Sequence, residues 1–391
     1  MKINLKRGFF AREAYELVNY GDIKVTAFAY PSGIEALKVE NQKGSFVILP
    51  FHGQQLWNFT FGGRNLTMNT TIKEPVYSDH YLGTYGGFLY HCGVAAFGAP
   101  QPEDTHPQHG EIPNIEYDEA YIICDEDEKG RYIAIGGVLN YDKAFVRKYQ
   151  FCPECRLYED ASVIKLDVSI ENMKNSPMEY MYLCHINFKP IDGAKLVYSA
   201  KRDAEHIKVH KIVSPDLPKE HAEKLKNFMD KVQENPAYHD TVGVADECYD
   251  PEICFAIKYE GDENNRAYTM QYKKGEGACY VSHPIDALPV GVRWISKTPD
   301  ESSMGMVLPA TSEHLGYLDS KKKGYVKTLG PREKLSFFME IGYLEDAEAS
   351  VVENKINVVL VDVSDYDIES SNWIKEYRWF EVPEDFCEIS E

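Results

Sequence analysis

The sequence predicts a mainly β protein, a large antiparallel β sandwich carrying a small helical insertion. Three observations lead there. Short runs of alternating apolar and polar residues, rich in β-branched and aromatic types, recur along most of the 391 residues; this is the period-2 pattern of strands with one buried face. Helical periodicity shows clearly in one segment only. Neither GxGxxG nor GxxxxGK[ST] occurs, which removes the phosphate-cradling loops of a doubly wound nucleotide-binding sheet.

The elements follow in order. Ile23–Ala29 alternates, Ser45–Pro50 reads as a buried strand ended by proline, and Gln55–Phe61 closes on the turn pair Gly62-Gly63. Further strands are expected at Ala120–Cys124, Tyr132–Ile135, Val163–Ile170, Tyr180–Phe188, Ile253–Tyr259, Ala267–Tyr272, Lys334–Gly342 and Ile356–Val363. The helical excursion lies at about 218–234. Pro218 opens it at a tolerated first-turn position, and Leu225, Phe228, Met229 and Val232 share a face. With no internal repeat or low-complexity linker, residues 1–391 are expected to form a single sandwich domain, ending in an acidic solvated tail over 381–391.

Composition narrows the partners. With 43% hydrophobic and 13% aromatic residues the chain has ample material for a core. The formal charge of -20 repels nucleic acid and anionic membranes, so neither is expected as a partner; a small neutral or cationic ligand is. The amino terminus shows no secretory pattern, and no apolar run approaches a membrane span. Nine scattered cysteines read as reduced thiols of a cytoplasmic protein, and Cys152–Cys155 is a lone CxxC without the second pair of a zinc ribbon. The oligomeric state is not legible.

The chemistry concentrates at His106-Pro-Gln-His109-Gly-Glu111 and at His185 in Tyr182–Phe188. Histidine is the side chain best suited to proton transfer near neutral pH. If the first segment is extended, His109 and Glu111 share a face and His106 lies opposite; the alternative is a loop histidine beside a turn glycine. In the strand, His185 shares its face with Leu183 and Asn187, which suits a wet concave site, although a satisfied structural histidine fits equally. Trp57, Trp294 and the 27 tyrosines offer rings that pack on the apolar faces of sugars. There is no GxSxG elbow and no HExxH helix. His106, His109, Glu111 and His185 are also metal-ligand types, which leaves a divalent cation as the alternative to a cofactor-free site.

The order of motifs resembles the aldose 1-epimerase (galactose mutarotase-like) superfamily, nearest to its little-characterised aldose-epimerase-related branch. The likeness is carried by Phe46–Trp57 with Gly62–Leu66, His109-Gly110, Ile170-Glu-Asn172, Tyr182–Phe188, Leu288–Trp294, Gly305–Thr311 and Leu329–Glu333, and it spans roughly residues 20 to 345. It implies a β supersandwich with an open sugar cleft, and the interconversion of sugar anomers by ring opening. By resemblance His185 is the acid, and His109 steadies or protonates the ring oxygen. The family's base, a glutamate before a proline, falls at Leu308 here, and leucine cannot accept a proton. Glu313 is the nearby carboxylate expected to replace it, with Glu111 as another source. Arg64 is expected to clamp a hydroxyl or carboxylate, and His106, Glu111, Asn187 and Trp294 to complete the substrate site. Two readings stand beside this one: metal-assisted isomerase, epimerase or lyase chemistry, and a carbohydrate-binding or sensing protein without turnover.

Overall fold

Alternation along the chain builds two large antiparallel sheets packed face to face. The computed structural model describes residues 1–213, 217–243 and 249–361. The smaller sheet has nine strands, with Gly130–Lys143, Arg147–Tyr158, Val163–Asn172 and Lys334–Leu344 consecutive at its centre. The larger has thirteen. Its middle runs in the spatial order Tyr249–Lys258, Val290–Lys297, Ser302–Ala310, Met178–Ile186, Leu89–Val94 and Leu56–Phe61.

The pleat sorts residues between two environments. In Met178–Ile186, Tyr182, Cys184 and Ile186 join the core between the sheets, beside Phe151, Met339 and Ile341 of the smaller sheet. Aromatic rings lock this layer: Phe59 stacks on Phe88 at 4.2 Å, and Phe188 meets Phe88 edge-on at 4.9 Å. Such pairs each add about 0.5–1.5 kcal/mol beyond area burial. Met181 and Leu183, on the opposite face, join a separate cluster with Tyr90, Cys92, Val292 and Leu308. That outer face is roofed by loops instead of a second sheet, which is where a ligand can enter.

The expected strands from Ile23–Ala29 to Lys334–Gly342 are all found, several of them longer; Ala120–Cys124, for example, is the middle of Glu119–Asp127. The helical excursion is α1, Lys219–Glu234, with Leu225, Phe228, Met229 and Val232 buried. Two further helices, α2 (Gly316–Lys322) and α3 (Asp346–Leu360), were not expected. The second corrects the strand predicted over Ile356–Val363. A capping box, in which Glu345 and Glu348 satisfy each other's backbone donors, starts a helix ten residues upstream, and Ala349 and Ile356 bury one stripe of it. Residues 362 and 363 and the predicted tail over 381–391 lie outside the described residues. Cys152 and Cys155 stand three apart in one strand, hence on opposite faces, and both are free thiols. Among the described residues no helix is long and apolar enough to cross a membrane.

Candidate functional site

Four neighbouring strands of the large sheet turn Cys254, Val292, Trp294, Leu308, Leu183 and His185 to the loop-covered face, where they floor a cavity of about 80 Å³. Tyr81, Leu82, Tyr85, Gln108, His109 and His314 wall it, and Glu252 stands at its edge. Past Tyr81, Leu82 and Gln108 it adjoins a hollow of about 440 Å³ between loops.

His185 is held in one tautomer. The Asn187 amide donates from Nδ2 to the Gly87 carbonyl (3.0 Å), so its Oδ1 is the acceptor. That oxygen lies 2.8 Å from His185 Nδ1 and also accepts from the Tyr85 hydroxyl at 3.0 Å. The proton of His185 therefore sits on Nδ1, and Nε2 keeps its lone pair. Burial pushes the imidazole down to about 4, although the Asn187 bond opposes the shift.

His109 enters from a loop that only a special backbone allows. Its own φ is +61°, and Gly110 follows at +87°. A Cβ at Gly110 would stand 2.1 Å from the Ala96 carbonyl oxygen, so only glycine fits. The His109 ring lies 4.5 Å from that of Tyr81 and 5.1 Å from that of His185. Burial, then the neighbouring His185 and His314, hold it well below the ordinary histidine value. His314 is pushed down to about 3, by burial first and His210 second. The Nδ1 atoms of His109 and His314 are buried without a hydrogen-bond partner among the described residues. Three neutral imidazoles thus meet in one pocket. Trp294 completes it: its ring is 5.3 Å from His185, and its indole N–H donates to Glu252.

The other expected site residues have different positions. His109 and Glu111 do not share a face, because the left-handed turn at His109-Gly110 separates them. Glu111 turns inward and accepts from Ala95 N (2.9 Å), Val94 N (3.1 Å) and the Tyr149 hydroxyl (2.7 Å); burial raises its pKa, offset in part by those bonds. It braces the loop. His106 donates from Nδ1 to the Pro107 carbonyl (2.8 Å) and accepts from Tyr317 N (3.3 Å), pinning the same loop to α2. Arg64 is paired with Glu276 at 2.9 Å, on a hairpin away from the pocket. Glu313 points away from the three histidines, between Lys323 (2.7 Å) and Lys208 (3.3 Å), with His210 at 3.5 Å. Burial alone would raise its pKa, but Lys323 and His210 outweigh that and hold it ionised below the usual value, a poor state for taking up a proton. The suggested metal set of His106, His109, Glu111 and His185 is dispersed by these same contacts, and no group of three or more His, Cys, Asp or Glu among the described residues is arranged to hold a metal ion. Asn187 supports His185 from below, and Trp294 lines the cavity.

The pocket residues not foreseen from the sequence include Tyr81, Tyr85, Glu252 and His314. Tyr81 opens a 3₁₀ turn, Tyr81–Thr84, and Tyr85 follows it; so short a turn has no periodicity to read. His314 follows Glu313 directly, and the loop after Ser302–Ala310 aims the histidine, not the carboxylate, at the pocket.

Comparison with known proteins agrees with this architecture. Residues 31–342 match the family described as "Domain of unknown function (DUF4432)". No curated protein matches by sequence. Among solved structures, a candidate aldose 1-epimerase from Klebsiella pneumoniae subsp. pneumoniae MGH 78578 is similar over 90% of this chain and 92% of its own, at 17% identity and a TM-score of 0.73. The Slr1438 protein from Synechocystis sp. PCC 6803 is similar over 77% of this chain and 91% of its own, at 12% identity and a TM-score of 0.52. At these identities the likeness shows the fold, which is galactose mutarotase-like.

Proposed function

The chain belongs to the DUF4432 family, and we propose that it binds a reducing sugar in the histidine pocket and interconverts its anomers. The observation that carries this reading is the bare Nε2 of His185, fixed by Asn187 and set among Trp294, Tyr81 and Tyr85 on a mutarotase-like fold. Opening a pyranose needs the anomeric hydroxyl proton removed and the ring oxygen supported as its bond to C1 breaks. The lone pair on Nε2 suits His185 to the first task. Its role is then base, the reverse of the acid implied by resemblance, and Asn187 Oδ1 stabilises the imidazolium that forms. In this reading His109, on the facing wall, gives its ring N–H proton to the ring oxygen as the C1–O bond breaks and the carbonyl forms, and the two protons return in reverse on closure to the other anomer. Trp294 offers a flat face for the sugar's C–H surface, and Glu252 accepts from a hydroxyl at the rim. The anomeric end fills the small cavity, and the rest of the ring extends past Tyr81 and Leu82. Seven free cysteines among the described residues fit a cytoplasmic setting.

One observation favours a second reading, sugar binding without turnover: Leu308 lines the pocket at the position where the resemblance expects a glutamate. NMR exchange spectroscopy on a panel of free aldoses separates the two. Faster exchange between α and β signals of at least one sugar supports the enzyme. Binding with no acceleration of any sugar leaves the binding protein.

A further inference from the structure

A second cavity, about 350 Å³, lies on the same face of the large sheet. The two cavities share a floor. Along Tyr249–Lys258, Cys254 lines the histidine pocket, and the next residues on that face, Ala256 and Lys258, line the second cavity. Across the ladder Ala256 pairs with Val292 of the first cavity, and Lys258 with Val290 of the second. Successive residues on one face of a strand are about 6.6 Å apart, so a single ligand two rings long reaches both. The chain neighbours Glu313 and His314 divide the wall, one facing each cavity.

The lining describes the occupant. Ala256, Val290 and the half-buried Tyr325 give an apolar surface. The polar groups around it already have partners: Lys208 with Glu313 at 3.3 Å, Lys258 with Glu205 at 3.9 Å, and the His206 ring between Asp203 (2.7 Å) and Glu260 (3.2 Å). A phosphate or carboxylate would have to break these pairs to bind. A neutral sugar ring would not. Its C–H face packs on the apolar floor, and its hydroxyls both donate and accept, which matches a rim of ammonium groups beside carboxylates.

We infer that the Lys208–Glu313 cavity is a second sugar subsite, so that the ligand is a reducing oligosaccharide whose reducing residue occupies the histidine pocket. This rests on the sugar-binding reading of that pocket. The test is calorimetric titration of the full chain with maltose, cellobiose, lactose, mannobiose and xylobiose, each beside glucose, mannose or xylose as its own reducing residue. At least one disaccharide should bind about tenfold tighter than its monosaccharide. Lys258→Trp, which fills the rim from an exposed position, should abolish that gain and leave monosaccharide binding and anomer exchange at the wild-type level; Lys208→Ala should reduce the gain. Monosaccharide binding with no disaccharide gain would overturn the subsite and spare the histidine pocket. A gain that survives Lys258→Trp would also overturn it. If no sugar of either size binds, both readings fall together.

Discussion

At the scale of the residue, the proposed chemistry turns on which nitrogen of His185 carries its proton. Asn187 settles this because its own Nδ2 is committed to Gly87. His185→Ala should slow anomer exchange by about 10²–10⁴-fold, with sugar binding retained, as read by exchange spectroscopy and calorimetry on one preparation. Asn187→Leu should give a smaller fall, since the imidazole stays but loses its fixed tautomer. Because burial brings His185 down to about 4, its base form is present throughout the neutral range. The rate should therefore be flat near neutrality and fall as pH drops through about 4, whereas an inflection near 6.5 would mean an imidazole without this environment. Glu313→Gln should leave the rate near wild type, because Lys323 and Lys208 already engage that carboxylate outside the pocket; a loss as large as that of His185→Ala would return Glu313 to the role of base.

At the scale of the element, the most regularly alternating strands were legible, while Glu35–Glu40, Leu89–Val94, Arg147–Tyr158 and Gly277–Pro284 were not, and neither were the loops. Alternation puts Leu183 and His185 on one face, as the pleat does; Asn187, just past the strand's end, joins His185 through its side-chain contact. The facing wall depends on a left-handed turn that spacing cannot foresee: an extended reading of His109-Gly-Glu111 pairs His109 with Glu111, while the real chain sends the carboxylate inward to Ala95 and Tyr149. Arg64 failed for a related reason, since only the fold brings Glu276 beside it. The helix α3 was hidden because a short apolar run, Ile356 to Leu360, carries no period long enough to distinguish strand from helix. The turn gives its own prediction. Gly110→Ala puts a Cβ against the Ala96 carbonyl at positive φ, and should cost on the order of 1–3 kcal/mol, seen as a lower unfolding midpoint, together with a loss of exchange activity as His109 shifts.

At the scale of the whole molecule, the fold stores many histidines in neutral form. Burial pushes His52 and His185 down to about 4, and His91, His283 and His314 down to about 3. In the unfolded chain each titrates near 6.5. Above that value neither state is protonated, and the stability is fully present. Below it the unfolded chain takes up protons that the folded one refuses, so stability falls as pH drops from about 6.5 toward 4. The thermal midpoint should decline steadily over that window, and a midpoint unchanged between pH 7 and pH 5 would mean that these imidazoles are not buried as described. The same layering shapes the site: two sheets bury the core between them and leave one face to loops, so the pocket floor and walls are mostly aromatic and apolar groups with three buried imidazoles, Glu252 stands at the edge, and the proposed base is His185. A crystal structure of the chain with a bound reducing sugar tests that claim most directly. The anomeric oxygen should lie within hydrogen-bond reach of His185 Nε2, with the sugar's apolar face on Trp294. A sugar whose anomeric oxygen meets Glu252 instead, or which binds away from His185 altogether, would contradict it.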